Sequence, residues 1–242
     1  YRFLCKHKSV LGSSYTQKGR SGFRGKGSCL LHRKGEKQMQ PLELYIHIPF
    51  CVKKCAYCDF LSGPAGEKEK EEYVKMLVDE IRNCPDTVQN YRVISIFFGG
   101  GTPSLLTGEQ IGRLMDTVRE IFTLDEDAEI TMEMNPGTVT EEKLRKYRQA
   151  GVNRLSIGLQ SVNDEELRLL GRIHTYEEFR EAYHLARANG FSNINVDLIS
   201  AIPGQTVESW RRTLEQVMAL SPEHISAYSL ILEGKRRAKA SG

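Results

Sequence analysis

Three cysteines lie within eight residues of one another, in the segment CVKKCAYC at positions 51–58. Cys51, Cys55 and Cys58 supply three thiol groups from one short loop, and thiolates are strong ligands for soft metal centres. In a chain with no recognisable secretory signal, such a group favours metal binding over disulfide formation. We therefore expect these cysteines to hold a metal centre in a cytoplasmic protein.

The spacing of the three thiols alone leaves different metal centres open. A zinc ion would need a fourth ligand, for which His47 and Cys84 are the candidates. A [4Fe–4S] cluster held by three thiolates would leave one iron open for an exogenous ligand. A redox pair of Cys55 and Cys58 is a weaker alternative, because it gives Cys51 no role.

Short strand-like runs alternate with segments of helical period from Met39 onward, which is typical of βα units and a parallel sheet. Such a succession predicts one α/β domain, either an open doubly wound sheet or a partial (βα) barrel. Ligands bind at the carboxyl ends of the strands in both architectures. The predicted strands are residues 42–48, 93–98, 129–134, 154–159, 193–199 and 224–230.

Capping pairs mark the starts of two of the helices predicted between these strands. Thr107 with Gln110 and Thr175 with Glu178 have the spacing at which side chains satisfy the unpaired amides of the first turn. These pairs place helix starts shortly after the loops that would carry ligands.

Charge is unevenly distributed along the 242 residues, whose formal net charge is +3. Residues 1–38 carry ten Lys or Arg and one acid, residues 235–242 carry four bases and no acid, and the part between them carries −10. We expect a disordered basic leader at 1–38, interpreted as an extension that is not native, a core domain at 39–233 and a disordered basic tail at 234–242. The positive charge therefore belongs to the ends, and no nucleic-acid partner is expected. No apolar run is long enough for a membrane span.

The cysteine loop, preceded by YIHIPF and with Tyr57 before the third cysteine, resembles the radical S-adenosylmethionine (SAM) superfamily. The resemblance covers residues 41–233. It implies a partial (βα)6 TIM-like barrel whose C-terminal domain is missing, with a [4Fe–4S] cluster on Cys51, Cys55 and Cys58. It also implies that SAM binds the open iron and is cleaved by an electron from the reduced cluster.

Further loops are similar to one branch of that superfamily, the oxygen-independent coproporphyrinogen III oxidases and the related heme chaperones of the HemW type. The glycine-rich FGGGTP follows the second strand, and TMEMNP, SIGLQS, LLGRIH and NVDLI follow in order. Taken singly, the acids and the arginine in these stretches are better explained as ordinary surface charges, but their shared placement after successive strands reverses that preference and favours a site. By resemblance, the residues that would contact SAM, some of them at a second SAM site of the oxidases, are Tyr45, Tyr57, Gly100, Gly101, Thr102, Glu133, Gln160, Arg172 and Asp197.

The residue two positions after the third cysteine separates the subgroups of this branch. The oxidases resembled have a further cysteine there, whereas this chain has Phe60. The difference favours a heme chaperone, which implies heme or porphyrin binding, a heme-acceptor protein and a reductant such as a flavodoxin or ferredoxin. The alternatives are a coproporphyrinogen oxidase of porphyrin biosynthesis and a non-catalytic zinc-binding scaffold. Ser200 and Ala201 also depart from the family pattern, which usually has glycine at the second of these positions.

Overall fold

The computed structural model describes residues 3–7 and 39–231 of the chain. Its strands form one sheet in which each strand lies beside the next one in sequence. The first pair is antiparallel and all later pairs are parallel. The strands are β1 (Phe3–His7), β2 (Gln40–Ile48), β3 (Tyr91–Gly100), β4 (Thr123–Met134), β5 (Arg154–Gln160), β6 (Ile194–Ser200) and β7 (His224–Ser229).

At least one α-helix or helical turn separates each pair of consecutive parallel strands. A doubly wound sheet reverses its strand order at one point, whereas here every crossover adds the next strand on the same side. This order belongs to a barrel, so the predicted partial (βα)6 TIM-like barrel is confirmed. The helices are α1 (Glu67–Arg82), α2 (Gly108–Ile121), α3 (Glu141–Ala150), α4 (Asp164–Leu169), α5 (Tyr176–Ala188) and α6 (Val207–Ala219).

The core lies between the sheet and the helices. Leu155 and Ile157 of β5 are fully buried, as is Phe179 of α5. Ser156, which lies between Leu155 and Ile157, is polar and faces the other side of the sheet. It pairs in register with Asn195 of β6 and accepts a hydrogen bond from the Asn195 side chain there. Alternation along β5 therefore puts apolar groups under the helices and polar groups inside the half-barrel.

Both predicted capping boxes are confirmed. The amide of Gln110 donates to the Thr107 hydroxyl at 3.2 Å, and the Thr107 amide donates to the Gln110 side chain at 2.9 Å. Thr175 and Glu178 exchange the equivalent pair of bonds at 3.2 and 2.7 Å. These bonds begin α2 and α5 where the sequence placed their starts.

The expectation that residues 1–38 form no regular structure is wrong at residues 3–7, which form β1. This segment pairs antiparallel with β2, from Phe3 opposite Ile46 to His7 opposite Leu42. Five residues are too few for periodicity to be detected, and the edge of β2 offers unpaired backbone groups to any extended segment. Residues 8–38 and 232–242 lie outside the described part of the chain, so the predicted domain limits stay predictions.

Candidate functional site

The predicted site residues lie along the edge of the sheet formed by the carboxyl ends of its parallel strands. The cysteine loop follows β2, the glycine loop ends β3, and Glu133, Gln160 and Asp197 lie on β4, β5 and β6. Parallel strands bring such positions together at one edge however far apart they are in sequence.

Main-chain hydrogen bonds fix the cysteine loop at both ends and in its middle. The Cys51 amide donates to the Gly63 carbonyl at 2.9 Å, and the Cys58 amide donates to the Cys55 carbonyl at 3.2 Å. The Ala56 amide donates to a carbonyl of the loop after α4, at 3.0 Å. All three cysteines are half-buried free thiols. The loop therefore presents its thiols from a backbone that neighbouring loops hold in place.

Two of the three sulfur atoms already accept hydrogen bonds from the protein. The Thr102 hydroxyl donates to Cys51 Sγ and the Arg172 guanidinium donates to Cys55 Sγ, each at 3.7 Å. Donors to sulfur and half-buried free thiols suit thiolate ligands, so these residues fit a cluster. In residues 3–7 and 39–231, no group of three or more His, Cys, Asp or Glu side chains is arranged to hold a single ion.

The two candidates for a fourth zinc ligand lie in different places. His47 is on the inner face of β2, where its Nδ1 lies 3.3 Å from the Tyr45 hydroxyl. Cys84 follows the end of α1, near the start of β3 and thus at the opposite edge of the sheet. Cys84 therefore cannot complete a zinc site with the cysteine loop.

The glycine loop requires glycine at two successive positions. Gly100 has a φ of +119°, and a Cβ there would lie 2.4 Å from the ring of His47. A Cβ on Gly101 would lie 2.6 Å from the Phe50 carbonyl oxygen, one residue before Cys51. The Gly101 amide also donates to the Ile48 carbonyl at 2.8 Å. The loops that follow β2 and β3 are therefore in direct backbone contact.

Glu133 is a largely buried acid whose carboxylate faces the glycine loop. It accepts a hydrogen bond from the Gly100 amide at 3.0 Å. Burial raises the pKa of Glu133 to about 7; the Gly100 bond lowers it and the negative charge of Asp197 raises it further. Burial raises the pKa of the Tyr45 hydroxyl, and the negative charge of Glu133 raises it further. A cationic ligand group placed here would favour the ionised carboxylate.

We predict that Glu133→Gln stabilises the protein at pH 8 and not at pH 5. A carboxyl whose pKa is higher in the folded chain than in the unfolded chain loses its favourable contribution as pH rises from about 4.5 to about 7. The wild-type free energy of unfolding should therefore fall by about 2 to 3 kcal/mol relative to the variant over that range. Unfolding midpoints of both proteins at pH 5, 6, 7 and 8 measure this, and parallel curves would contradict it.

Polar side chains on β5, β6 and β7 hold Asp197 in the interior of the half-barrel. Its carboxylate accepts from the Ser156 hydroxyl at 2.9 Å and the Asn195 amide at 2.8 Å. Ser226 donates to Asn195 in turn, at 3.0 Å. Burial raises the pKa of Asp197, while the bonds from Ser156 and Asn195 oppose that rise. Asp197 was among the predicted site residues, whereas Ser156, Asn195 and Ser226 were not. The alternation of these polar residues with apolar ones along their strands was the signal that could have identified them.

Arg172 connects the cysteine loop to the end of β5. Its Nη2 donates to the Gly158 carbonyl at 2.7 Å, in addition to the Nη1 bond to Cys55. Gln160, two residues on, is buried and has a φ of +79°, which is strained for a residue with a side chain. His174 Nε2 lies 3.3 Å from the Leu159 carbonyl oxygen. The loop after α4 thus holds the carbonyls that precede Gln160.

Two of the predicted site residues, Tyr45 and Tyr57, are tyrosines that pack in different surroundings. Tyr45 stacks on Phe97 with ring centroids 5.9 Å apart. Tyr57 packs against a small apolar cluster that includes Leu170 and Ile202. Burial, opposed by Arg172, raises the pKa of Tyr57 to about 12, so its hydroxyl stays protonated.

The predicted residues form two groups that meet at Asp197. Tyr45, Gly100 and Glu133 form one group through contact and charge. Arg172 forms the other group with Cys55, to which it donates a hydrogen bond, and with Tyr57, whose pKa it lowers. Asp197 interacts electrostatically with Glu133 and with Arg172. One continuous polar edge therefore joins the thiols to the carboxylates.

In the part of the chain that the structure describes, no helix has the length and apolar character to cross a bilayer.

Comparison with curated proteins gives relatives across the core of the chain. The heme chaperone HemW of Escherichia coli (strain K12) is 46% identical over 197 residues, which are 81% of this chain and 52% of that protein. The mitochondrial radical S-adenosyl methionine domain-containing protein 1 of Danio rerio is 37% identical over 190 residues, 78% of this chain and 43% of that protein. The chain thus spans about half the length of the curated relatives it matches.

Comparison with solved structures gives the coproporphyrinogen III oxidase HemN from Escherichia coli. The TM-score is 0.74 at 35% identity, over 81% of this chain and 45% of that one. The family model described as "Radical SAM superfamily" matches residues 45–217, a range that contains the cysteine loop and every strand from β3 to β6. Since this match covers most of the chain, the protein belongs to the radical SAM superfamily.

Proposed function

We propose that the chain is the radical SAM part of a HemW-type heme chaperone, which binds heme and delivers it to acceptor proteins. The observation that carries this proposal is the 46% identity to the heme chaperone HemW of Escherichia coli, over 81% of this chain. Phe60, at the position where the oxidases resembled have a cysteine, supports the same choice.

Superfamily membership implies a [4Fe–4S] cluster and SAM, which when bound supply one-electron reductive chemistry. In this chain, Cys51, Cys55 and Cys58 would hold the cluster. Backbone hydrogen bonds fix their loop, so the fold sets the position of the backbone that carries the three thiols.

The groups proposed for SAM suit its charged amino-acid portion. Glu133 is a carboxylate at one end of the polar edge, Arg172 is a guanidinium held by the Gly158 carbonyl at the other, and the Asp197 carboxylate lies between them. A ligand with an ammonium and a carboxylate finds a partner for each. All three side chains are partly buried, which limits competition from water for the ligand.

A coproporphyrinogen oxidase is the second candidate function. The TM-score of 0.74 to HemN favours it, because the half-barrel common to both chains would position the cluster and SAM alike. The two functions differ in the step after SAM binding, which is turnover of a porphyrinogen in the oxidase and stoichiometric binding and release of heme in the chaperone.

Heme titration of the anaerobically purified 242-residue chain tests the proposal. We expect iron and sulfide in the protein, saturable heme binding, and no conversion of coproporphyrinogen III when SAM and a reductant are supplied. Conversion of coproporphyrinogen III without stoichiometric heme binding would favour the oxidase. A colourless protein with stoichiometric zinc would instead favour the zinc-binding scaffold.

We further propose that a protein reductant docks on the exposed face of the cysteine loop. Val52, Phe60 and Leu61 are exposed there at 53%, 66% and 86%. Lys53 and Lys54 are exposed beside them, in a core domain that is acidic as a whole. Apolar groups with adjacent lysines fit an acidic electron carrier such as a flavodoxin or ferredoxin, whose complexes are small and depend on charge.

Charge reversal at Lys53 and Lys54 tests this docking surface. We predict that the double change to glutamate slows cluster reduction by an acidic flavodoxin about tenfold at low salt, since it removes electrostatic steering. Reduction by a small neutral photoreductant should be unchanged. The matched control is the double change of Lys68 and Lys75 to glutamate on the exposed side of α1. Equal rates for all three proteins would contradict the proposal.

A heme-acceptor protein and a cytoplasmic location complete the proposal. The acceptor is expected because a chaperone that binds heme must release it to another protein. Pull-down of the heme-loaded chain with apo-hemoproteins tests for the acceptor protein. Fractionation of cells tests the cytoplasmic location.

A further inference from the structure

We propose that Arg172 and Thr102 tune the reduction potential of the cluster by donating hydrogen bonds to two of its sulfur ligands. This inference rests on the proposed cluster at Cys51, Cys55 and Cys58. Arg172 Nη1 lies 3.7 Å from Cys55 Sγ, and Thr102 Oγ1 lies 3.7 Å from Cys51 Sγ. Both donors thus contact atoms that would bind iron.

The position of Arg172 is fixed independently of the cluster. Its Nη2 donates to the Gly158 carbonyl at 2.7 Å, and its own amide donates to the Leu167 carbonyl at 2.9 Å. The Leu170 carbonyl accepts the Ala56 amide at 3.0 Å, which ties this loop to the cysteine loop. These bonds hold the guanidinium against Cys55.

Thr102 is held just as firmly on the other side. It is 7% exposed and follows directly on the glycine loop, whose Gly101 is in contact with the backbone of Phe50. Its hydroxyl therefore stays beside Cys51 when the glycine loop keeps its conformation.

Hydrogen bonds and positive charge near the sulfurs favour the reduced cluster. Reduction adds one electron, and the added negative charge is shared with the thiolate sulfurs. Arg172 contributes both a donor and a full charge, whereas Thr102 contributes a neutral donor. Charge-assisted hydrogen bonds are about twice as strong as neutral ones, so Arg172 has the larger effect.

Redox titration in the absence of SAM tests the inference. The midpoint potential is measured by visible absorption and by electron paramagnetic resonance on cluster-loaded protein. Arg172→Gln is expected to lower the ratio of reduced to oxidised cluster at a fixed solution potential about tenfold, which is about 59 mV for one electron. Arg168→Gln, which removes the same charge from an exposed position on α4, is expected to leave the ratio within about twofold of the wild type.

Thr102→Val is the second variant, because it keeps the side-chain shape and removes the donor. It is expected to lower the ratio about threefold. If Arg172→Gln does not retain iron and sulfide, the Thr102 variant decides alone. Wild-type potentials in the loaded variants would overturn the inference and leave the proposed cluster intact. A wild-type chain without iron and sulfide would instead contradict the cluster itself.

Discussion

Replacing Cys55 by alanine is expected to remove most of the iron and sulfide from the anaerobically purified protein. Cys55 is the central thiol of its loop and the one that Arg172 contacts. Loss of a proposed direct ligand should cost at least the roughly 10- to 100-fold in metal affinity that is typical of changes to supporting residues. Iron and sulfide contents per chain, with the visible absorption spectrum, measure the effect.

Cys84→Ala is the matched control for this variant. Cys84 is also a half-buried free thiol, but it follows α1, and its thiol donates to the Glu80 carbonyl of that helix at 3.8 Å. The control should retain full iron and sulfide. A Cys55 variant with wild-type iron and sulfide contents would contradict the cluster assignment. Equal losses of iron and sulfide in both variants would indicate a general effect on folding.

The cysteine loop and the strands were predictable because their signals are local. Cys51, Cys55 and Cys58 lie within one loop, and no tertiary information is needed to see that their thiols are close. Alternating strand-like and helical segments likewise give a parallel α/β fold. The choice between a doubly wound sheet and a barrel was not local, because it depends on the side of the sheet to which each crossover returns.

The polar interior of the half-barrel was only partly predictable. Asp197 was named by resemblance, but Ser156 and Asn195 gain meaning only when the register places them side by side on β5 and β6. The pairing of β1 with β2 is likewise non-local, since about thirty residues separate the two strands. Register and long-range pairing are set by the whole sheet and not by any one segment.

Ala201 shows how a departure from a family pattern translates into geometry. Its φ is +60°, a conformation that glycine adopts without cost and alanine does not. The sequence indicated this position through the family's preference for glycine there. The structure adds the physical reason, which is a left-handed residue directly after β6.

The contact between the glycine loop and the cysteine loop has the second large expected effect. Gly101→Ala would place a methyl group 2.6 Å from the Phe50 carbonyl oxygen and 3.0 Å from its carbonyl carbon. Backbone atoms cannot rotate away as a side chain can, so the two loops must separate. Phe50 directly precedes Cys51, and the separation therefore displaces a proposed cluster ligand.

Gly101→Ala is accordingly expected to lower the free energy of unfolding by about 1–3 kcal/mol. It should weaken SAM binding by about 10- to 100-fold, the range typical of changes to residues that support a metal site. Gly112→Ala on α2 is the matched control: a Cβ there meets nothing within 4 Å, and alanine should stabilise the helix by about 0.5–1 kcal/mol. Denaturant unfolding and SAM titration of the cluster-loaded proteins measure both effects. If Gly101→Ala matched Gly112→Ala in stability and SAM affinity, the close approach of the two loops would not be what sets the position of Cys51.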